Sequence, residues 1–169
     1  MGGVWSDGAR QQTHAFKEEF PLEQCHFSTT QMRVSAGGNH LQPGALQGQL
    51  TRGNDHLSWD LHYNDGEAPL LFLPENFYQR SLPKAKSLVS RPHIRLSGTL
   101  TLNGETLVLD RWPGSENHNW GSQHTDRYAW GQVVGFDNAP DAFLECATAQ
   151  VKVGPLYSPP LSIAALRLD

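Results

Sequence analysis

From His56 to Tyr63 polar and apolar residues alternate without a break. His56, Ser58, Asp60 and His62 share one face, and Leu57, Trp59, Leu61 and Tyr63 share the other. A period of two marks a half-buried strand, because successive side chains of a strand leave on opposite faces. The pattern recurs along the chain, so strands are predicted almost throughout. Residues 44–51 alternate as well, Arg52-Gly53-Asn54-Asp55 can turn them back, and Asn64-Asp65-Gly66 supplies the next turn. Residues 95–102 set Leu96, Gly98, Leu100 and Leu102 on one side, and Asn103-Gly104 leads into residues 105–110. Asn-Gly between two such runs suits a type I′ turn, whose central residues both need positive φ.

Residues 128–136 and 143–153 are further strands, joined by Asp137-Asn138-Ala139-Pro140-Asp141. Residues 161–168 form a last apolar run that stops at Asp169 without a turn. One short helical turn is predicted between Pro74 and Pro83. The 16 glycines and 11 prolines among 169 residues are spread along the chain, more than a helical bundle tolerates. Six to nine strands with hairpin turns predict an all-β fold, an antiparallel barrel or curved sandwich with very little helix. A barrel is preferred, since closure removes exposed strand edges.

No repeat or linker divides the chain, and its length suits a single domain over residues 1–169. With 13 basic against 17 acidic residues the net charge is −4, and no basic stripe exists to neutralise phosphates, so nucleic acid is excluded as a partner. No apolar run approaches the ~18 residues of a membrane span, so no transmembrane segment is expected. Met1-Gly2-Gly3-Val4-Trp5-Ser6-Asp7 has no basic segment followed by an apolar one, which favours the cytosol over secretion. Cys25 and Cys146 lack metal or redox spacing, and two buried thiols are expected rather than a disulfide.

Chemistry concentrates between Gly114 and Gln132, where His118, Trp120, His124, Asp126, Arg127, Tyr128 and Trp130 crowd together. A histidine titrates near neutrality and Asp126 could fix its tautomer, which suits general acid–base work. His118, His124 and Asp126 match no standard ligand spacing, so no metal is expected. The alternative is a loop from Asn117 to Asp126 stitched by side-chain-to-backbone hydrogen bonds. In the following strand Tyr128, Trp130, Gln132, Val134 and Phe136 share one face, with Ala129, Gly131, Val133 and Gly135 on the other. The bulky face is either packed core or the lining of a cavity for an apolar ligand. Trp59, Trp130 and Phe143 are expected in the buried interior. Glu145 stands on the otherwise apolar face of its strand, where a carboxylate is costly to ionise unless a cation or several donors meet it. It is a candidate proton donor, or a structural residue paired with Arg127 or capped by loop amides.

Asn117-His118-Asn119-Trp120-Gly121, His124-Thr125-Asp126, Tyr128-Ala129-Trp130-Gly131-Gln132, Gly135-Phe136-Asp137 and Phe143-Leu144-Glu145 together resemble a known superfamily. It is the lipocalin-like superfamily of bacterial carotenoid hydratases (hydroxyneurosporene synthase), AttH proteins and plant tocopherol cyclases. The resemblance is strongest over roughly residues 110–155 and looser over roughly 40–169. It implies a first lipocalin-like barrel of a two-barrel protein, with a pocket for an apolar, isoprenoid-like small molecule and no cofactor. It also implies acid-catalysed hydration or cyclisation of an alkene, which needs a proton donor and aromatic faces beside the resulting cation. His118, Asp126 and Glu145 are the catalytic candidates, and Trp120, His124, Tyr128, Trp130 and Gln132 the ligand-binding ones. The alternatives are a non-catalytic carrier of apolar molecules, or a half-domain whose aromatic face docks a second barrel or a homodimer partner.

Overall fold

The computed structural model describes residues 1–64, 68–81 and 83–168. The turn expected at Asn64-Asp65-Gly66 and the chain end at Asp169 lie outside the described residues. Of the described residues 67% are in strands and 4% in helix, so the fold is all-β with very little helix. Every registered strand pair is antiparallel. No helix among the described residues is long and apolar enough to cross a membrane.

Among the described residues there are fifteen strands rather than six to nine. The first five were not legible: β1 (Gly2–Asp7), β2 (Gln12–Lys17), β3 (Cys25–Phe27), β4 (Val34–Ala36) and β5 (Asn39–Gln42). They are short and mixed in polarity, and pairing rather than periodicity sustains them. There follow β6 (Ala45–Arg52), β7 (Asp55–Asn64), β8 (Leu70–Leu71), the helical turn α1 (Glu75–Tyr78) and β9 (Ala85–Leu102). The chain continues through β10 (Glu105–Gly121), β11 (Arg127–Phe136) and β12 (Ala139–Gln150). It closes with β13 (Lys152–Val153), β14 (Leu156–Tyr157) and β15 (Leu161–Arg167). The chain divides into two compact units, Met1–Asn64 with Leu96–Trp112, and Asp65–Arg95 with Pro113–Asp169.

In the first unit β3 to β7 form a meander, with the tip of the β9–β10 hairpin beside β7 and β1–β2 as a separate hairpin. Leu57, Leu61 and Tyr63 of β7 are buried, whereas His56, Asp60 and His62 are exposed, as alternation predicts. The expectation of a buried Trp59 is corrected, since the ring packs on the core only half-buried. Phe16, Leu50 and Leu57 form the core cluster, and Trp5, Trp59 and Leu102 pack on it. The hairpin turns at Asn103-Gly104 with φ of 52° and 87°, the two positive values that a type I′ turn requires. Its arms reach well beyond the expected residues 95–110.

A side-chain clasp holds that turn. Asn103 N donates to His56 O at 2.9 Å, and His56 N donates to Asn103 Oδ1 at 2.8 Å. Asn103 Nδ2 also donates to Asp55 Oδ1 at 2.8 Å, and the second oxygen of Asp55 meets His14 Nδ1 at 3.2 Å. The Asn103 amide first, and His14 second, hold the Asp55 carboxyl below its ordinary 3.8.

In the second unit β11, β12 and β15 form a three-stranded sheet and β8 pairs with β9. Val89, Ile94, Ala142 and Phe143 are its buried apolar side chains. The expected five-residue connection from Asp137 to Asp141 is only the turn at Asp137 and Asn138. A register shift between Val134 and Phe136, with Gly135 at φ 80°, bends β11 directly into β12. Both cysteines are free, and the expectation of two buried thiols is corrected, since Cys25 is half-buried and Cys146 exposed. Alternation sends it to the face opposite Glu145.

Two outcomes test this arrangement. Gly98 lies at φ 130° with its α-carbon against β7, where a Cβ would overlap the carbonyl oxygen of Asp60. Gly98→Ala should therefore cost more than ~2 kcal/mol in urea unfolding, through strain and overlap together. Asp55 has its folded value depressed, so its contribution is present above pH 3.8 and lost as pH falls through the lower folded value. Asn103→Gly keeps the positive φ and removes the amide. The gap in melting temperature between parent and variant should be widest near neutrality and narrow on acidification.

Candidate functional site

Register on the β11–β12–β15 sheet sets four rows of side chains on the face that carries Phe143. They are Val134–Phe143–Arg167, Gln132–Glu145–Ala165, Trp130–Ala147–Ile163 and Tyr128–Ala149–Leu161. The face changes character along its length. Phe143 is 0% exposed and Glu145 2%, whereas Ile163 is 41%, Trp130 53%, Tyr128 60% and Leu161 65% exposed. Large apolar groups thus stand open over the small side chains Ala147 and Ala149. The expectation of a buried Trp130 is corrected: the row beyond Glu145 carries no covering segment among the described residues.

Glu145 closes the deep end. Trp130 Nε1 donates to its Oε1 at 2.9 Å, and Gln132 Nε2 donates to its Oε2 at 2.8 Å. Ser115 Oγ donates to Gln132 Oε1 at 2.7 Å, which orients the amide, and Gln132 Nε2 also reaches Asn117 Oδ1 at 3.3 Å. A buried carboxyl needs such partners to offset lost hydration. Both partners are neutral donors, so the carboxyl is engaged as an acceptor at each oxygen.

The expected pairing with Arg127 does not form, and register explains why. Arg127 stands opposite Gln150, five residues along β12 from Glu145, or roughly 17 Å at strand spacing. Its guanidinium lies 4.0 Å from the centre of the Tyr157 ring instead. Asp126 precedes Arg127 and accepts from Lys152 N at 3.0 Å. His118 stacks on Trp120 at 4.9 Å, and Trp120 stacks on Tyr78 at 5.6 Å. His118, Asp126 and Glu145 therefore meet different neighbours and share no hydrogen bond or ion pair among the described residues.

The loop expected from Asn117 to Asp126 is also corrected. β10 continues to Gly121, so His118 and Trp120 are strand residues. Only the remainder connects to β11, where His124 lies against Tyr128 at 5.3 Å. Of the eight residues singled out from the sequence, Trp130, Gln132 and Glu145 join one network. His118 with Trp120, and His124 with Tyr128, form separate ring pairs. Sequence reasoning missed Tyr78, whose hydroxyl accepts from Phe72 N and donates to Ser87 O, each at 3.0 Å. It also missed Leu161 and Ile163, whose alternate spacing was the available signal. No three His, Cys, Asp or Glu side chains converge as metal ligands among the described residues.

No protein-family model matches the chain, and no solved structure matches it. It is similar to an uncharacterized protein of Mycobacterium tuberculosis, found in two strains. Identity is 30% over 122 residues, which cover 72% of this chain and 36% of the relative. The chain thus spans about a third of the length of the curated relatives it matches.

The network makes Glu145→Gln informative. A glutamine presents its own amide protons to one of two donors and leaves a buried group unsatisfied, at a cost of ~1–3 kcal/mol. The denaturation midpoint should fall with the slope unchanged. An unaltered midpoint would show that the carboxyl carries no structural role.

Proposed function

We propose that the open end of the Tyr128–Trp130–Leu161–Ile163 face binds an apolar small molecule of isoprenoid type, as a non-catalytic carrier site. One observation carries the reading. Four large apolar side chains, each at least 41% exposed, converge on one sheet face over two alanines. Contiguous exposed apolar surface of this kind marks an interaction site, because leaving it in water forfeits ~25 cal/mol per Å². Trp130 adds direction, since its nitrogen is tied to Glu145 and its ring is thereby held in one orientation toward the face. The resemblance to carotenoid hydratases and tocopherol cyclases supports a long, unsaturated ligand.

Carriage is favoured over alkene protonation. Glu145 accepts at both oxygens, and His118 and Asp126, the other acid candidates, contact Trp120 and the Lys152 amide. No acid group stands free over the apolar rows among the described residues.

All-trans-retinol, an isoprenoid alcohol added from an ethanol stock, should quench tryptophan fluorescence saturably. Trp130→Ala and Leu161→Ala should each weaken its binding about tenfold or more, the ~1.4 kcal/mol of a lost aromatic or aliphatic contact. Val4→Ala, at an exposed site in the first unit, should leave binding unchanged. Incubation of a bound alkene in D₂O should incorporate no deuterium. Retinol binding unaffected by both face variants would overturn the assignment. Failure to bind together with dimerisation abolished by the same variants would identify the face as a protein interface.

A further inference from the structure

A second site lies in the first unit, on the meander. Register sets His26 opposite Ser35, Ser35 opposite His40 and His40 opposite Gln47, so these side chains share one face. Gln47 stands opposite Asp60 and donates to its Oδ1 at 2.9 Å. Two residues along the strands runs a parallel row. Ser28 N donates to Arg33 O just past the β3–β4 pairs, and Gln42 stands opposite Ala45. Strand parity sends Gln42 and Ala45 to the same face as the first row, and Ser28 and Arg33, just past the strand ends, belong to the same lining.

The two rows line an open concavity of about 620 Å³, where His26, Arg33, His40, Gln42 and Gln47 are exposed to solvent. Its lining is chemically one-sided. It contributes a guanidinium, two imidazoles, three hydroxyls and two amides, and no carboxylate. The nearest acid along the rows, Asp60, is occupied by Gln47. Among the described residues the Arg33 guanidinium and the His26 and His40 rings hold no hydrogen bond or ion pair. Phe27, Val34 and Leu41 border the concavity between these rows with their backbone, and Ala45 with the alkyl stem of Arg33 supplies apolar surface on the face itself.

A guanidinium among uncharged groups that can donate, with no carboxylate in the lining, is complementary to an oxyanion. An arginine fork meets phosphate or carboxylate through two parallel hydrogen bonds. We infer that this cavity binds a small organic oxyanion, a phosphate or carboxylate on a short apolar body, with Arg33 as its anchor. The imidazoles and the Ser35 hydroxyl flank the anion, and Ala45 with the alkyl stem of Arg33 meets the body. The site is separate from the unit that carries Trp130, and its occupant differs in charge.

Inorganic phosphate, phenyl phosphate and benzoate, each titrated into ¹⁵N-labelled protein, test the assignment against chloride at matched ionic strength. Saturable shifts should cluster on β3 to β6, and phenyl phosphate or benzoate should bind more tightly than phosphate. The tighter of the two identifies the anionic group. Arg33→Gln should weaken binding at least tenfold, and Arg33→Lys should restore part of the loss by returning charge without the fork. Trp130→Ala should leave these shifts intact, so failure of the apolar site does not mimic failure of this one. Shifts matched by chloride, or affinity indifferent to Arg33→Gln in a protein whose remaining amide spectrum is unchanged, would overturn it.

Discussion

The tip of the β9–β10 hairpin is the constraint on which the first unit turns, because it lies beside β7 and is bonded to that strand's own turn. It is held by reciprocal bonds between Asn103 and His56, reinforced by the Asn103 amide on Asp55. The residue type is dictated from two directions. The backbone needs positive φ at position 103, which asparagine tolerates, and the same side chain supplies donor and acceptor to the neighbouring turn. Gly98 lets the hairpin arm lie close against β7 by carrying no Cβ. A turn and a close approach, each cheap in its own residue, thus set where two long strands begin and how near they lie to their neighbour.

In the second unit the controlling fact is a buried carboxyl satisfied by neutral groups. Trp130 and Gln132 give both oxygens of Glu145 a donor, and Ser115 fixes which end of the amide does so. Such a network specifies geometry more than it adds stability, since any member lost leaves another unsatisfied. It separates a packed end of the sheet, at Phe143, from an open apolar end. The indole belongs to both, its nitrogen in the network and its ring on the open face, so a ligand-facing group is positioned by the same bonds that satisfy the acid.

The two candidate sites illustrate opposite uses of strand parity. On β11, β12 and β15, rows of large apolar and small residues leave a surface that water solvates poorly. On β3 to β6, rows of histidine, serine, arginine and glutamine leave donors that water solvates well but that an oxyanion can collect together. In each case cross-strand pairing builds the site, since residues far apart in sequence become neighbours across 5 Å spacings.

Period-two alternation by itself determined that the chain is antiparallel and all-β, that Leu57, Leu61 and Tyr63 turn inward, and that Asn103-Gly104 is a hairpin turn. It also singled out Glu145, because parity places a carboxylate beside Phe143 on an apolar face. What parity cannot supply is register. Only the tertiary structure decided that Glu145 faces Gln132 rather than Arg127, that β10 extends through His118 and Trp120, and that Trp130 remains open to solvent. It alone aligned His26, Ser35 and His40 into one row. A strand's sequence sets which face each side chain takes, whereas its neighbours' offset sets whom that side chain meets. That offset depends on hydrogen bonds and close approaches formed between segments distant along the chain.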